Sequence, residues 1–282
     1  MKNKHLPAGR QVLNFYFCRV MFVDTHTHLF LEQFSQDIDE VMSRAIDKDI
    51  QRFYLPNIDH STFDDMMELV GNYPGKALPL IGLHPCSVKE DFEEELSFVD
   101  KKARGGGFFG IGETGIDLYW DKTFFEQQQE SFARQIELAK ELALPVIIHC
   151  RESFDEIFEI VDRLNDERLS GIFHCFTGDL SQANRIIDYG RFKLGMGGVL
   201  TFKNSGLDKT IADVPLQHLV LETDSPYLAP VPYRGKRNES SYLIEVAKKL
   251  GEIKGVSIEE VEEITTDNAN EVFDFEEEST SL

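Results

Sequence analysis

The chain has 282 residues, 41% of them hydrophobic and 28% charged, the balance of a globular protein with a substantial core. Fifty acidic against 29 basic residues give a formal net charge of −21 at pH 7, which excludes a broad nucleic-acid-coating surface but leaves room for a local site where metal ions and a few basic side chains reverse the sign. The four cysteines, Cys18, Cys86, Cys150 and Cys175, show no C-x-x-C spacing, which argues against a disulfide framework and for a cytoplasmic location, and no apolar run approaches the ~20 residues of a membrane helix.

Residues 1–20 read as an N-terminal extension. Their apolar stretch is interrupted by Arg19 and lacks the small-residue cleavage site of a signal peptide, and Met21 stands as a natural start immediately before a strand. In "MFVDTHTHLF", residues 21–30, His26 and His28 are one residue apart, so on a strand they project from the same face. Alone, such a pair serves equally as hydrogen-bonded core histidines or as metal ligands. Asp24 shares their face two residues earlier and reads as a hydrogen-bonding residue lower in the fold rather than another ligand.

Short apolar and β-branched runs recur along the chain at 22–29, 52–58, 77–85, 108–117, 145–150, 171–176, 192–198 and 219–226. Helical periodicity lies between them, most clearly at 124–143, where Phe125, Phe132, Ile136 and Ala139 or Ala143 share a face. Further helices are predicted over 154–164, over 180–190 with a Ser181 cap and a Gly190 stop, and near 240–250 and 257–272. Eight alternating units without a Pro- or Ser-rich linker predict one α/β domain, a (β/α)8 TIM-type barrel over 21–273 followed by an acidic tail at 274–282. A doubly wound open sheet is the competing architecture, but no Gly-rich phosphate loop follows the first strand.

The polar residues fall in a pattern on that scaffold. His26 and His28 end the first predicted strand, Glu113 the fourth, His149 the fifth, His174 the sixth and Asp224 the eighth. In a barrel these C-terminal ends converge on one mouth. Imidazole and carboxylate donors suit zinc, manganese or magnesium ions, and six ligands exceed one tetrahedral ion. Two divalent ions bridged by one carboxylate, about 3.5–4 Å apart, are the hydrolytic arrangement such a set fits. A scaffold that had lost its chemistry would lack at least one of them.

The ordered set "DTHTHL", "GLHP", "GETGID", "PVIIHCRES", "FHCFTG" and "ETDSPYLAP" with "RGKRNE" resembles the TatD family of metal-dependent nucleases, within the amidohydrolase superfamily. The similarity runs from Phe22 to "TTDNANEVF" near the C-terminus. It implies exonucleolytic hydrolysis of DNA phosphodiester bonds, with DNA bound locally at the barrel mouth and neither a membrane nor an obligate protein partner. It further implies one metal on His26, His28, Glu113 and Asp224, a second on Glu113, His149 and His174, and Asp224 as the general base. The resemblance thus implies Glu113 and Asp224 as the catalytic residues.

By the same resemblance His84 contacts the substrate phosphate or leaving group, a role a structural histidine would fit as well. Arg151, Arg234 and Arg237, with Lys236, supply the local positive charge that a phosphate clamp requires, and surface salt bridging is the alternative for each. Cys86 stands where the family frequently has His or Asn, so no role is carried over. Cys150 and Cys175 are expected to turn away from the mouth into the core. Ser240 stands where the family pattern has proline. An exposed Tyr119 or Trp120 is placed to stack a nucleobase, unless the loop packs on the barrel rim. The alternative substrate class is an ester or amide, such as a mischarged aminoacyl-tRNA.

Overall fold

Runs rich in Val, Ile, Leu and Phe are covered on both faces in parallel sheets, and the computed structural model, which describes residues 21–273, arranges them so. The expectations for residues 1–20 and for the tail at 274–282 lie outside the described residues. The strands are β1 (Phe22–Asp24), β2 (Ile50–Pro56), β3 (Ala77–Leu80), β4 (Ile111–Asp117), β5 (Val146–Arg151), β6 (Gly171–Phe173), β7 (Phe192–Met196) and β8 (Leu219–Leu221). Parallel pairing runs β1-β2-β3 and β4-β5-β6-β7-β8, and an Ile81–Ile111 bridge joins the two runs. The ring closes through backbone hydrogen bonds from Thr25 N to Leu221 O at 3.0 Å and from Asp224 N to His26 O at 2.9 Å. The chain forms the TIM-type barrel predicted from its sequence.

Helices α1 (Ile38–Ile46), α2 (Phe63–Asn72), α3 (Phe92–Arg104), α4 (Phe125–Leu142), α5 (Phe154–Leu164), α6 (Leu180–Asp188), α7 (Leu207–Ala212), α8 (Leu243–Lys254) and α9 (Ile258–Phe273) surround it. Two apolar layers result. The larger lies between sheet and helices and includes Phe132 and Ile136 of α4, Ile157 and Val161 of α5, and the strand residues facing them. The smaller joins Val23, Tyr54, Leu80, Ile147, Ile172 and Val220. Residues of so many strands meet only inside the barrel. Each fully buried chain of this kind contributes about 1.5–3 kcal/mol.

Helix α9 seals the end away from the predicted ligands. Phe273 stacks on Tyr54 at 3.6 Å, and Asn268 donates to Leu216 O and Leu219 O at the start of β8. Helix α6 is capped differently from the expectation. Asp179, not Ser181, accepts from Gln182 N, and Gln182 Oε1 in turn accepts from Asp179 N.

Most strands are shorter at their C-terminal ends than the apolar runs predicted. β1 ends at Asp24, β6 at Phe173 and β8 at Leu221, so His26, His28, His174 and Asp224 stand on the connecting segments just beyond. The chain there leaves the pleat: Cys175 and Asp224 take left-handed backbones at φ 45° and 56°. Such strain in non-glycine residues persists only where surroundings impose it, and it collects at functional sites. Strict alternation therefore fails for Cys175, which lines the cavity at the mouth instead of turning into the core, whereas Cys150 packs against the apolar layer and also reaches the cavity wall.

Candidate metal centre

The segment after β1 is held by its neighbours. His28 N donates to Ser225 O at 2.8 Å, and the hydroxyls of Thr27 and Ser225 meet at 2.6 Å. Buried Asp24 accepts from Thr223 N at 2.9 Å, Thr223 Oγ1 at 2.7 Å and Ser240 Oγ at 2.6 Å. Burial pushes its carboxyl up to about 7 against the pull of these donors. Asp24 thus ties β1 to the segment bearing Asp224. Ser240 supplies one of the three bonds.

Glu113, buried within β4, is the hub. Its Oε2 lies 3.0 Å from His26 Nε2 and 3.4 Å from His28 Nε2. Its Oε1 lies 2.7 Å from His149 Nδ1, 3.3 Å from His84 Nε2 and 3.6 Å from His174 Nε2. Asp224 Oδ1 completes the ring, 3.8 Å from His26 Nε2 and 3.6 Å from His28 Nε2. Burial alone would raise the Glu113 carboxyl, but the imidazoles of His84, His26 and His174 hold it well below the usual carboxylate range. Burial and the neighbouring His174 ring, stacked on His26 at 3.5 Å, push His26 the other way, well below the ordinary imidazole value. Asp224 is pushed up to about 6, chiefly by burial.

The donor set fits divalent cations. His26, Glu113 and His174, then His26, His28 and Asp224, then His84, Glu113 and His149 each offer ligand atoms within 4.8 Å of one another. The Nε2 atoms of His26 and His28 lie 3.1 Å apart and turn toward one point, while their buried Nδ1 atoms have no partner. Imidazoles presenting Nε2 lone pairs to a common centre are what coordination requires. The structure gathers the other five predicted ligands around Glu113. It groups His149 with His84 rather than with His174.

Two carboxylates that the sequence reading passed over hold the outer imidazoles. Asp117 Oδ2 lies 2.9 Å from His149 Nε2, and Glu222 Oε1 lies 3.0 Å from His174 Nδ1 while accepting from Cys175 N. Their signals were present in the spacing. Asp117 stands four residues after Glu113 on β4, and Glu222 two before Asp224, both even intervals that share a face in extended chain.

The centre forms the floor of a cavity of about 770 Å³. His84 and Arg151 reach its wall, as do Cys86, Cys150 and Cys175. The other predicted phosphate-binding residues are not brought there. The Arg237 guanidinium forms a two-pronged ion pair with Asp37 at 2.8 and 2.7 Å and covers Phe34. The surface-salt-bridge alternative describes its position. Arg234 lies over the Phe202 ring at 3.7 Å, and Lys236 over Tyr233.

Comparison with known proteins agrees with this geometry. The family model described as TatD related DNase matches residues 23–274. YabD of Bacillus subtilis, named an uncharacterized metal-dependent hydrolase, is 38% identical over 90% of this chain and 99% of its own length. YcfH of Escherichia coli K12, named in the same terms, is 34% identical over 90% of this chain and 96% of its own. The crystal structure of YjjV, a TatD homologue from Escherichia coli K12, superposes with a TM-score of 0.84 at 29% identity, covering 90% of this chain and 98% of that one. With its imidazole and carboxylate centre at the mouth of the barrel, the chain belongs to the TatD related DNase family and is a metal-dependent hydrolase.

Proposed function

We propose that this chain is a divalent-metal-dependent deoxyribonuclease that removes nucleotides from DNA ends. The observation that carries the reading is the division of Glu113, one oxygen facing His26 and His28 and the other facing His84, His149 and His174. A carboxylate so placed would be shared by two ions, one held with His26, His28 and Asp224 and one with His149 and His174. Ions bound there would neutralise phosphate charge and acidify a water for attack at phosphorus.

The chain's own groups do the remainder. Asp224, partly open to the cavity and raised by burial, accepts the proton of the attacking water. His84, whose Nε2 is 3.3 Å from Glu113 at the cavity wall, meets the phosphate or the departing oxygen. Arg151 offers a guanidinium to the flanking phosphate. The free cysteines Cys86, Cys150 and Cys175 accord with a reducing cytoplasm.

The test is digestion of end-labelled single- and double-stranded DNA by purified protein after chelation and after return of Mg²⁺ or Mn²⁺, with an aminoacyl-tRNA run in parallel. Metal-restored shortening from one end is expected. Acyl release without DNA cleavage would overturn the reading.

A further inference from the structure

The exposed large hydrophobic side chains among the described residues, Tyr119, Trp120, Tyr227, Leu228 and Val231, all sit on two segments beside the cavity mouth. Trp120 is 69% exposed and lines the cavity wall together with Arg151. Tyr119 and Trp120 meet edge to face at 4.8 Å, and the Arg151 guanidinium lies 4.0 Å from the Tyr119 ring centre and 5.4 Å from that of Trp120. Arg44, Arg104, Arg134, Arg168, Arg185 and Arg237 each pair with a carboxylate. Arg151, like Arg163, Arg191 and Arg234, has no carboxylate partner among the described residues, and of these four it alone lines the cavity, on a protein whose net charge is −21.

We infer that Trp120, with Tyr119 and Arg151 beside it, is a stacking subsite for one unpaired nucleobase next to the scissile phosphate. An open indole face and a guanidinium share the chemistry of an unstacked base and the phosphate attached to it. The platform is fixed relative to the centre. Asp117 Oδ1 accepts from Tyr119 N at 2.9 Å and Trp120 N at 3.0 Å, while Oδ2 contacts His149. One carboxylate therefore sets both the imidazole and the stacking loop, and a base on Trp120 would register its phosphodiester against the metal ligands. A base inside a duplex has no free face, so the subsite selects frayed or single-stranded ends.

This assignment rests on the nuclease reading, and the experiment separates the two. Trp120 is the chain's single tryptophan, so its fluorescence reports the platform directly. Metal-free full-length protein is titrated with a short thymidine oligonucleotide and with an abasic strand of the same length. Quenching by the first and not the second is expected. Trp120→Ala and Trp120→Phe are then assayed with metal on the oligonucleotide and on bis(p-nitrophenyl) phosphate, a phosphodiester without a base.

Trp120→Ala is expected to lower kcat/KM on the oligonucleotide by about 5- to 150-fold, the usual range for one lost base–aromatic stack. That loss should exceed its loss on the small diester several-fold, and Trp120→Phe should recover much of it. Equal losses on both substrates, or fluorescence indifferent to the bases, overturns the subsite. Quenching in a wild-type protein that leaves DNA intact keeps the subsite and overturns the nuclease reading instead.

Discussion

Glu113 stands among five imidazoles, and its charge is what makes their company tolerable in a buried site. Glu113→Gln keeps the volume and removes the charge. It should bring metal content below one ion per chain by elemental analysis and activity to background, while circular dichroism stays that of the folded protein. Glu222 acts one step further out. Its Oε1 lies 3.0 Å from His174 Nδ1, and Gly195 leaves the space its carboxylate occupies. Glu222→Gln should weaken metal affinity by about 10–100-fold, the usual cost of removing a carboxylate behind a ligating histidine. Saturating Mn²⁺ should restore most of kcat. A kcat that stays low at saturating metal would show that Glu222 acts on the reaction itself.

At the scale of elements, the apolar runs located every strand core but overran most of their C-terminal ends. The physical reason is geometric: a pleat spaces side chains evenly, and the candidate ligands gather on Glu113 only where the chain leaves the sheet. The six candidate ligand positions could be picked out in the sequence as imidazoles and carboxylates at the ends of predicted strands, in an order that resembles a known family. The distinction between Arg151 at the cavity and Arg237 in its ion pair with Asp37 was not, since it depends on which residues of α1 pack beside the loop after β8.

Two elements can be tested at their joints. Gly115, at φ 143°, lies where a Cβ would run into the His149 backbone of β5. Gly115→Ala should cost at least the ~1–3 kcal/mol of a strained backbone and lower the melting temperature. The turn before α8 is pinned to α1 by Arg44, which bonds Glu239 at 2.9 and 2.6 Å. Burial raises Glu239, but the bonds from Arg44 and Ser241, with the charges of Arg44 and Arg237, together outweigh it and hold the carboxyl below its ordinary 4.5. A folded value below the unfolded one gives stability that is full above pH 4.5 and fades as pH falls through the folded value. The melting-temperature gap between wild type and Glu239→Gln should thus be constant from pH 6 to 8 and shrink below pH 4.5. A gap independent of pH would assign the effect to packing.

For the molecule as a whole, the net charge of −21 opposes the approach of DNA, while Arg151 at the mouth favours contact with one or two phosphates. The two effects differ in range. Repulsion acts over about 30 Å at 10 mM salt and about 8 Å at 150 mM, whereas each phosphate contact on a single strand contributes a salt slope of only about −0.7. With so few contacts, screening of the repulsion outweighs loss of the attraction. Raising KCl from about 10 to about 150 mM at fixed Mg²⁺ should therefore increase kcat/KM on an oligonucleotide, the reverse of a basic nucleic-acid-binding protein. Bis(p-nitrophenyl) phosphate, with a single charge, should respond little. The rise should grow with oligonucleotide length, because each added phosphate outside the mouth adds to the repulsion exerted by the net charge of −21. A log–log slope steeper than about −2 would reveal a phosphate-tracking surface beyond the mouth, and would contradict recognition confined to the cavity.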